Sequence, residues 1–267
     1  MLCDKIEKTS LPDFIAVSGD QWVAEEKFDG DRIRLQVKDG KMSLITRSGK
    51  IVTDRYPELH SFPVSRDLFL DGEMCCLDEN GLSQFNEGIA FRTHCQSSEK
   101  IRAAAITHPV TYVIFDIIGI DKDDIKDKPW SVRREILDGL GLDHPACVLS
   151  AVQYDVMKLW SYVTGRGGEG IILKKVNSPY SEGRRSSNWK KVKDIQEADV
   201  RVTKFSVNPK GIRVETDDGI ACQVSGYNAP PVQAVLEARG EALITIRHLG
   251  WTGKKYRQPT FAKIVIQ

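Results

Sequence analysis

Residues 32–47 leave the chain little choice of local structure. Ile33, Leu35 and Val37 alternate with Arg32, Arg34 and Gln36, a period of two that turns one apolar face to a core and one charged face outward. Asp39-Gly40 supplies a tight hairpin turn, and residues 42–47 return as the second strand. Just before this hairpin stands Lys27-Phe28-Asp29-Gly30. Lys, Asp and Gly are all common in turns, so the stretch suits a charged hairpin edge. It also suits a nucleophilic lysine, provided that neighbouring cations or desolvation release the ammonium proton.

The rest of the chain supplies cover for that sheet. Residues 68–77 and 110–118 are apolar enough to be buried strands, and the alanine-rich 97–107 reads as a helix. Val132, Ile136, Leu137 and Leu140 fall at helical spacing and stop at Gly139 and Gly141. A further helix starts near Asp155, with Val156, Leu159, Trp160 and Val163 inward, and ends at Gly165. Gly167-Gly168-Glu169-Gly170 leads into a strand over 171–176, and 189–193 forms another. Residues 1–20 read as a lead-in. After Asp194 the character changes to five short strands (198–207, 212–216, 220–224, 242–248 and 261–266), with a turn at Asp217-Asp218-Gly219 and one helix over 232–239. Five strands with one helix suit a small OB-type barrel.

Composition excludes some classes. Hydrophobic residues at 41% and charged residues at 28% are ordinary for a globular protein. A net charge of +1 gives no global pull on nucleic acid, so such a partner must be held by local basic patches. One is present: Lys174, Lys175, Arg184, Arg185, Lys190, Lys191 and Lys193 face only Glu182 within 174–193. Cysteines 3, 75, 76, 95, 147 and 222 show no CxxC pair and no zinc-like spacing. The expectation is reduced thiols in a soluble, cytoplasmic protein with no signal peptide or membrane span.

Taken in order, six stretches resemble the motifs of the covalent nucleotidyltransferase superfamily of ATP-dependent DNA ligases, RNA ligases and mRNA capping enzymes. Lys27-Phe28-Asp29-Gly30-Asp31-Arg32 resembles motif I, Thr46-Arg47-Ser48-Gly49 the short arginine motif after it, and Leu70-Asp71-Gly72-Glu73 motif III. Tyr112-Val113-Ile114-Phe115-Asp116 is similar to motif IIIa, Glu169-Gly170-Ile171-Ile172-Leu173-Lys174 to motif IV, and Trp189-Lys190-Lys191-Val192-Lys193 to motif V. Any one is weak and the order is strong. The resemblance implies an α+β chain: an ATP-grasp-like adenylation (nucleotidyltransferase) domain of antiparallel sheets and helices over 1–194, then an all-β OB-fold barrel over 195–267.

It also implies roles. Lys27 attacks the α-phosphate of ATP to form lysyl-AMP. Asp29 assists the lysine and a metal, Glu169 helps to hold Mg²⁺ or Mn²⁺, and Lys174, Lys191 and Lys193, with that bound cation, act at the phosphate and lower the pKa of Lys27. Arg32 and Glu73 hold the ribose, Phe115 stacks on the base, and Glu25 accepts from the adenine amino group. Arg47 meets the 5′-phosphate of a nick, and Arg184 and Arg185 the backbone of duplex DNA. Arg257-Gln258-Pro259-Thr260-Phe261 resembles motif VI, so Arg257 would orient the pyrophosphate, although the family often continues with further arginines. Each residue has a plainer reading on its own: Phe115 as core, Glu73 and Glu169 as turn carboxylates, Arg34 and Arg47 as surface arginines, and the lysine run as a solvated face.

The lysine that ends motif IV and the Arg184-to-Trp189 approach to motif V lean towards DNA ligase, with an RNA-end ligase as the nearer competitor. A nucleic-acid-binding OB protein with a decayed transferase domain is the third reading. ATP is favoured over NAD, since zinc cysteines and a nicotinamide-binding region are missing. The expected partner is nicked duplex DNA, met by a monomer without a separate N-terminal DNA-binding domain.

Overall fold

The computed structural model describes residues 1–216, 219, 221–251 and 255–265, apart from the side chains of 86 and 87. Asp217, Asp218, Ile220 and Ile266, where the sequence predicts a turn and strand positions, lie outside the described residues. The chain divides into two compact units, Met1–Val192 and Lys193–Gln267.

The first unit is built on two sheets. The hairpin Asp31–Lys38 and Lys41–Thr46 pairs antiparallel, with Leu68–Cys75 and then Thr111–Ile120 continuing the sheet on its other side. Ile33, Leu35 and Val37 are buried, as the alternation requires, with Leu44, Leu70, Tyr112 and Ile114 in the same core. The second sheet runs in the order Leu2–Ile6, Arg185–Lys193, Gly170–Lys175, Trp22–Glu26, Val152–Gln153. Helix Val156–Gly165 covers it through Val156, Leu159 and Val163. Asp155 caps that helix, its side chain accepting from the Lys158 N–H at 2.9 Å, and Ser97 caps Ser98–Thr107 through the Lys100 N–H at 3.3 Å; both fit the usual cap chemistry.

Residues 1–20 are more than a lead-in. Leu2–Ile6 is a strand parallel to Arg185–Lys193, and Leu11–Ser18 is a helix whose Leu11 is buried. The strand is too short to show a period, and its partner is far away in sequence, so nothing local announces it.

The second unit holds two three-stranded antiparallel sheets: Gln196–Val202, Ala242–His248 and Thr260–Ile264, and Lys204–Asn208, Gly211–Glu215 and Ala221–Ser225. The single strand expected over 198–207 is two strands, because the chain passes from one sheet to the other at Thr203. Helix Ala229–Arg239 starts earlier than expected; its two prolines sit in the first turn, where a missing N–H costs nothing. Its Val232 and Leu236 join Val200, Val214, Val224 and Ile244 in one core. Among the described residues no helix is long and apolar enough to cross a membrane.

Candidate active site

Lys27 sits where the two sheets of the first unit meet. Its backbone N–H donates to the Gly170 carbonyl at 2.9 Å, which fixes it beside the strand that Glu169 precedes. The turn that follows requires glycine. A Cβ on Gly30 would lie 2.3 Å from the Met74 carbonyl oxygen, whereas the bare glycine N–H donates to Glu73 Oε1 at 3.2 Å. Gly72 is needed for a similar reason, since a Cβ there would lie 2.5 Å from the Tyr112 ring. Gly30 thus lets the turn after Lys27 approach the strand carrying Glu73, and Gly72 lets that strand pack closely on Thr111–Ile120.

Above Lys27 lies a cavity of about 140 Å³ lined by Glu25, Lys27, Arg32, Glu73, Phe115 and Lys174 among others, well beyond what a single water needs. All six had been assigned to nucleotide binding or catalysis from sequence. Asp29 is buried beside it, its N–H donating to Ser83 Oγ at 3.0 Å. Lys191 is close enough for its charge to act on the Cys3 thiol, together with Lys27 and Lys174. Arg47 lines a neighbouring cavity with Arg32 and Arg34. Arg184 and Arg185 are exposed, and the Arg185 guanidinium donates to the Cys3 carbonyl at 2.5 Å. Lys193 ends the strand Arg185–Lys193, while Arg257 belongs to the second unit, its N–H donating to the Gly250 carbonyl at 2.9 Å.

The electrostatics of Lys27 are set by the carboxylates around it. Lysines 174, 191 and 193, together with a bound divalent cation, are expected to lower its pKa. Burial does pull it down, but the Glu169 carboxylate, with Glu73 and Asp29 behind it, outweighs burial and raises it. Lys27 Nζ lies 2.6 Å from Glu169 Oε2, so the resting lysine is a held ammonium. Lys174 Nζ is engaged elsewhere, 2.6 Å from Glu25 Oε1 and donating to the Phe115 carbonyl at 2.7 Å. Arg32 spans Asp71 through two guanidinium nitrogens at 3.0 and 2.5 Å and reaches the Met1 carbonyl at 2.5 Å. Burial alone would raise the pKa of Asp71, but Arg32 and the Tyr180 hydroxyl hold it low.

Three aromatic rings line the cavity, Phe28, Phe115 and Trp189, and the sequence assigned only Phe115 to it. Phe115 meets Trp189 edge to face, with ring centroids 5.8 Å apart. Lys174 Nζ lies 4.9 Å from the Phe115 centroid and 4.4 Å from that of Trp189, and the Arg32 guanidinium lies 5.4 Å from Phe115. Cations therefore rest where a flat base could stack. The Trp189 indole N–H is buried without a hydrogen-bond partner among the described residues. Asp71 and Tyr180 were also missed; a carboxylate in the apolar run 68–77 was the available signal that a buried cation had to face it.

Glu73 is a strained carboxyl. Burial pushes its pKa up to about 7, with Lys27 and Arg32 opposing and Asp71 and Glu169 adding to the rise. Unfolded, the group ionises near 4.5, so its favourable contribution to folding is complete below that pH and is lost as pH rises through about 7. Glu73→Gln keeps an acceptor for the Gly30 N–H. It should stabilise the ligand-free protein at pH 8 by about 1–2 kcal/mol, allowing for screening by solvent at the cavity mouth. Thermal unfolding should show a rise in Tm of about 2–6 °C at pH 8 that shrinks towards pH 5.

The sequence of residues 1–193 matches the family model described as "ATP dependent DNA ligase domain". The chain belongs to this family. The chain is 31% identical over 188 residues to the SPbeta prophage-derived DNA ligase-like protein LigB of Bacillus subtilis, covering 70% of this chain and 66% of LigB. It is 35% identical over 187 residues to a probable DNA ligase of Streptomyces avermitilis, covering 67% of this chain and 36% of that protein. The chain thus spans about two thirds of the first relative and about a third of the second. Among solved structures it resembles a Lig E DNA ligase, a protein described as binding DNA with a minimal scaffold, with a TM-score of 0.68 and 19% identity over 99% of this chain and 98% of that one. That likeness shows a shared mixed α/β fold.

Proposed function

We propose that this chain is an ATP-dependent DNA ligase, sealing 5′-phosphate/3′-hydroxyl nicks in duplex DNA through a covalent lysyl-AMP on Lys27. The observation that carries the reading is Lys27 Nζ, held 2.6 Å from Glu169 at the floor of a cavity walled by Phe115, Trp189, Arg32 and Glu73. In the first step the resting Lys27 ammonium gives one proton to Glu169, already in contact, and the neutral amine attacks the α-phosphorus of ATP. A P–N bond forms, the P–O bond to pyrophosphate breaks, and the second lysine proton leaves with pyrophosphate. Phe115 offers the ring for the purine, Glu25 an acceptor for its amino group, and Arg32 and Glu73 polar atoms for the ribose. Lys174, on leaving Glu25, and Lys191 would neutralise charge on the phosphate, and Lys193 and Arg257 are proposed for the same task.

Among the described residues no three His, Cys, Asp or Glu converge as a metal cage; Glu169 and Asp29 fit the usual Mg²⁺ pattern of one or two carboxylates completed by phosphate and water. There the ion would neutralise the phosphate oxygens. In the second step an oxygen of the 5′-phosphate at the nick attacks the same phosphorus, and Lys27 leaves as the amine. In the third, the 3′-hydroxyl attacks the 5′-phosphorus and AMP leaves. Arg47 would hold that 5′-phosphate and Arg184 and Arg185 the backbone, contacts that are sequence-independent and salt-sensitive. The two small sheets and single helix of the second unit support an OB-type barrel as its fold.

The test is a singly nicked duplex with ATP and Mg²⁺, beside the same nick with RNA supplying the 3′-hydroxyl or the 5′-phosphate strand. Sealing of the all-DNA nick is expected. A lysyl-AMP adduct together with sealing of RNA ends alone would overturn the DNA assignment.

A further inference from the structure

Arg32 lines two cavities, the one above Lys27 and a second of about 240 Å³ that it shares with Arg34, Arg47, Tyr180 and Glu182. Arg32 and Arg34 are two residues apart on the strand Asp31–Lys38, on the face opposite the buried Ile33 and Leu35, so their side chains stand one pleat apart. Three arginines and one carboxylate line this second cavity. Arg32 is already matched by Asp71, and Arg47 is exposed with no ion pair among the described residues. Arg34 is bound by Glu182, with Nη1 2.6 Å from Oε1. The two side chains are 27% and 47% exposed, so the pair sits at the rim and can open by a rotation of Glu182 alone. The backbone around Glu182 is anchored: Tyr180 on one side is buried and donates to Asp71 at 2.6 Å, and Gly183 on the other turns at φ +67° into the strand that starts at Arg185.

We propose that Glu182 is a built-in anion occupying a phosphate seat formed by Arg34 and Arg47, and that the phosphorylated 5′ end of a DNA strand takes the seat by displacing Glu182 from Arg34. The inference rests on the ligase reading above and adds to it a competitor and a second arginine. A terminal phosphate carries more charge than a carboxylate and matches the guanidinium fork with two oxygens, whereas a rim ion pair is intrinsically weak. Phosphate therefore wins the seat. A 5′-hydroxyl end has nothing to offer Arg34 and leaves the pair closed. The contact favours ends that can be joined and keeps the seat filled when no such end is present.

The chemistry fits two sources of phosphate, the DNA end and the leaving pyrophosphate of ATP, and the test separates them. Binding is measured at 0.15 M salt for two nicked duplexes that differ only in a 5′-phosphate or a 5′-hydroxyl, and Lys27 adenylation by ATP is timed on the same samples. Glu182→Gln is expected to bind the 5′-phosphate nick about two- to fivefold tighter, the range open to a partly exposed pair. It should leave the 5′-hydroxyl nick and the adenylation rate unchanged. Arg34→Gln should weaken binding of the 5′-phosphate nick, and adding Glu182→Gln to it should then have no effect. Equal tightening on both nicks, or the same gain from Glu135→Gln on the exposed face of helix Trp130–Asp138, would overturn the proposal in favour of a general charge effect. Faster adenylation in place of tighter nick binding would overturn it in favour of the nucleotide phosphates. Absence of sealing by the wild-type protein would sink the ligase reading itself, whereas sealing with no Glu182 effect sinks only this step.

Discussion

Lys27→Ala is expected to form no covalent AMP when incubated with labelled ATP and Mg²⁺, a loss of roughly 10⁴-fold or more, as for other removed nucleophiles. No neighbour can take its place. Lys174 Nζ is buried and tied to Glu25 and to the Phe115 carbonyl, and burial raises the pKa of the Cys3 thiol at the cavity wall, which keeps it protonated. The same variant should retain activity on a nick that already carries AMP on its 5′-phosphate, because the bonds made and broken in that last step do not include lysine. An adduct at normal level in Lys27→Ala would place the nucleophile elsewhere. Loss of both activities would point to a damaged fold, which thermal unfolding of the variant would reveal.

Residues from five of the motifs line one cavity, and two of the motif glycines are residue types that geometry makes necessary. Gly30 and Gly72 had to be glycine where a strand or a ring crosses them, and Ile33, Leu35 and Val37 could face only one way. What escaped was charge pairing across long sequence separations. Nothing near Lys27 in the sequence says that Glu169 lies 2.6 Å away and raises its pKa. The strand Leu2–Ile6 is illegible for the same reason: its hydrogen bonds depend on a segment starting at Arg185. Trp189 opens the stretch that resembles motif V, and it is buried; only the structure shows that its ring packs edge to face on Phe115 and lines the cavity with it. Periodicity reports which side of an element is buried. It is silent on which charged group of a distant element is waiting there.

The largest stability effect should come from such a pair. Arg133 and Asp116 are both fully buried and joined twice, Nε to Oδ1 at 2.8 Å and Nη2 to Oδ2 at 2.9 Å. Arg133 also donates to the Lys128 carbonyl at 2.6 Å and the Ser178 carbonyl at 3.1 Å. The guanidinium thus clamps helix Trp130–Asp138 to strand Thr111–Ile120 and to the loop leading to Tyr180. Asp116 immediately follows Phe115, so the clamp also sets the strand that presents the aromatic wall. Asp116→Ala leaves a buried guanidinium without its carboxylate and should cost about 3–5 kcal/mol, a fall in Tm of roughly 6–20 °C for a unit of this size. Arg66→Ala, which removes an ion pair of similar length to Asp121 at the surface, should leave Tm unchanged, because water replaces that partner. The contrast tests whether burial or ion-pair length decides the outcome. A similar Tm for both variants would mean that solvent or a shifted side chain satisfies Arg133 once Asp116 is gone, and that Phe115 is held in place by apolar packing alone.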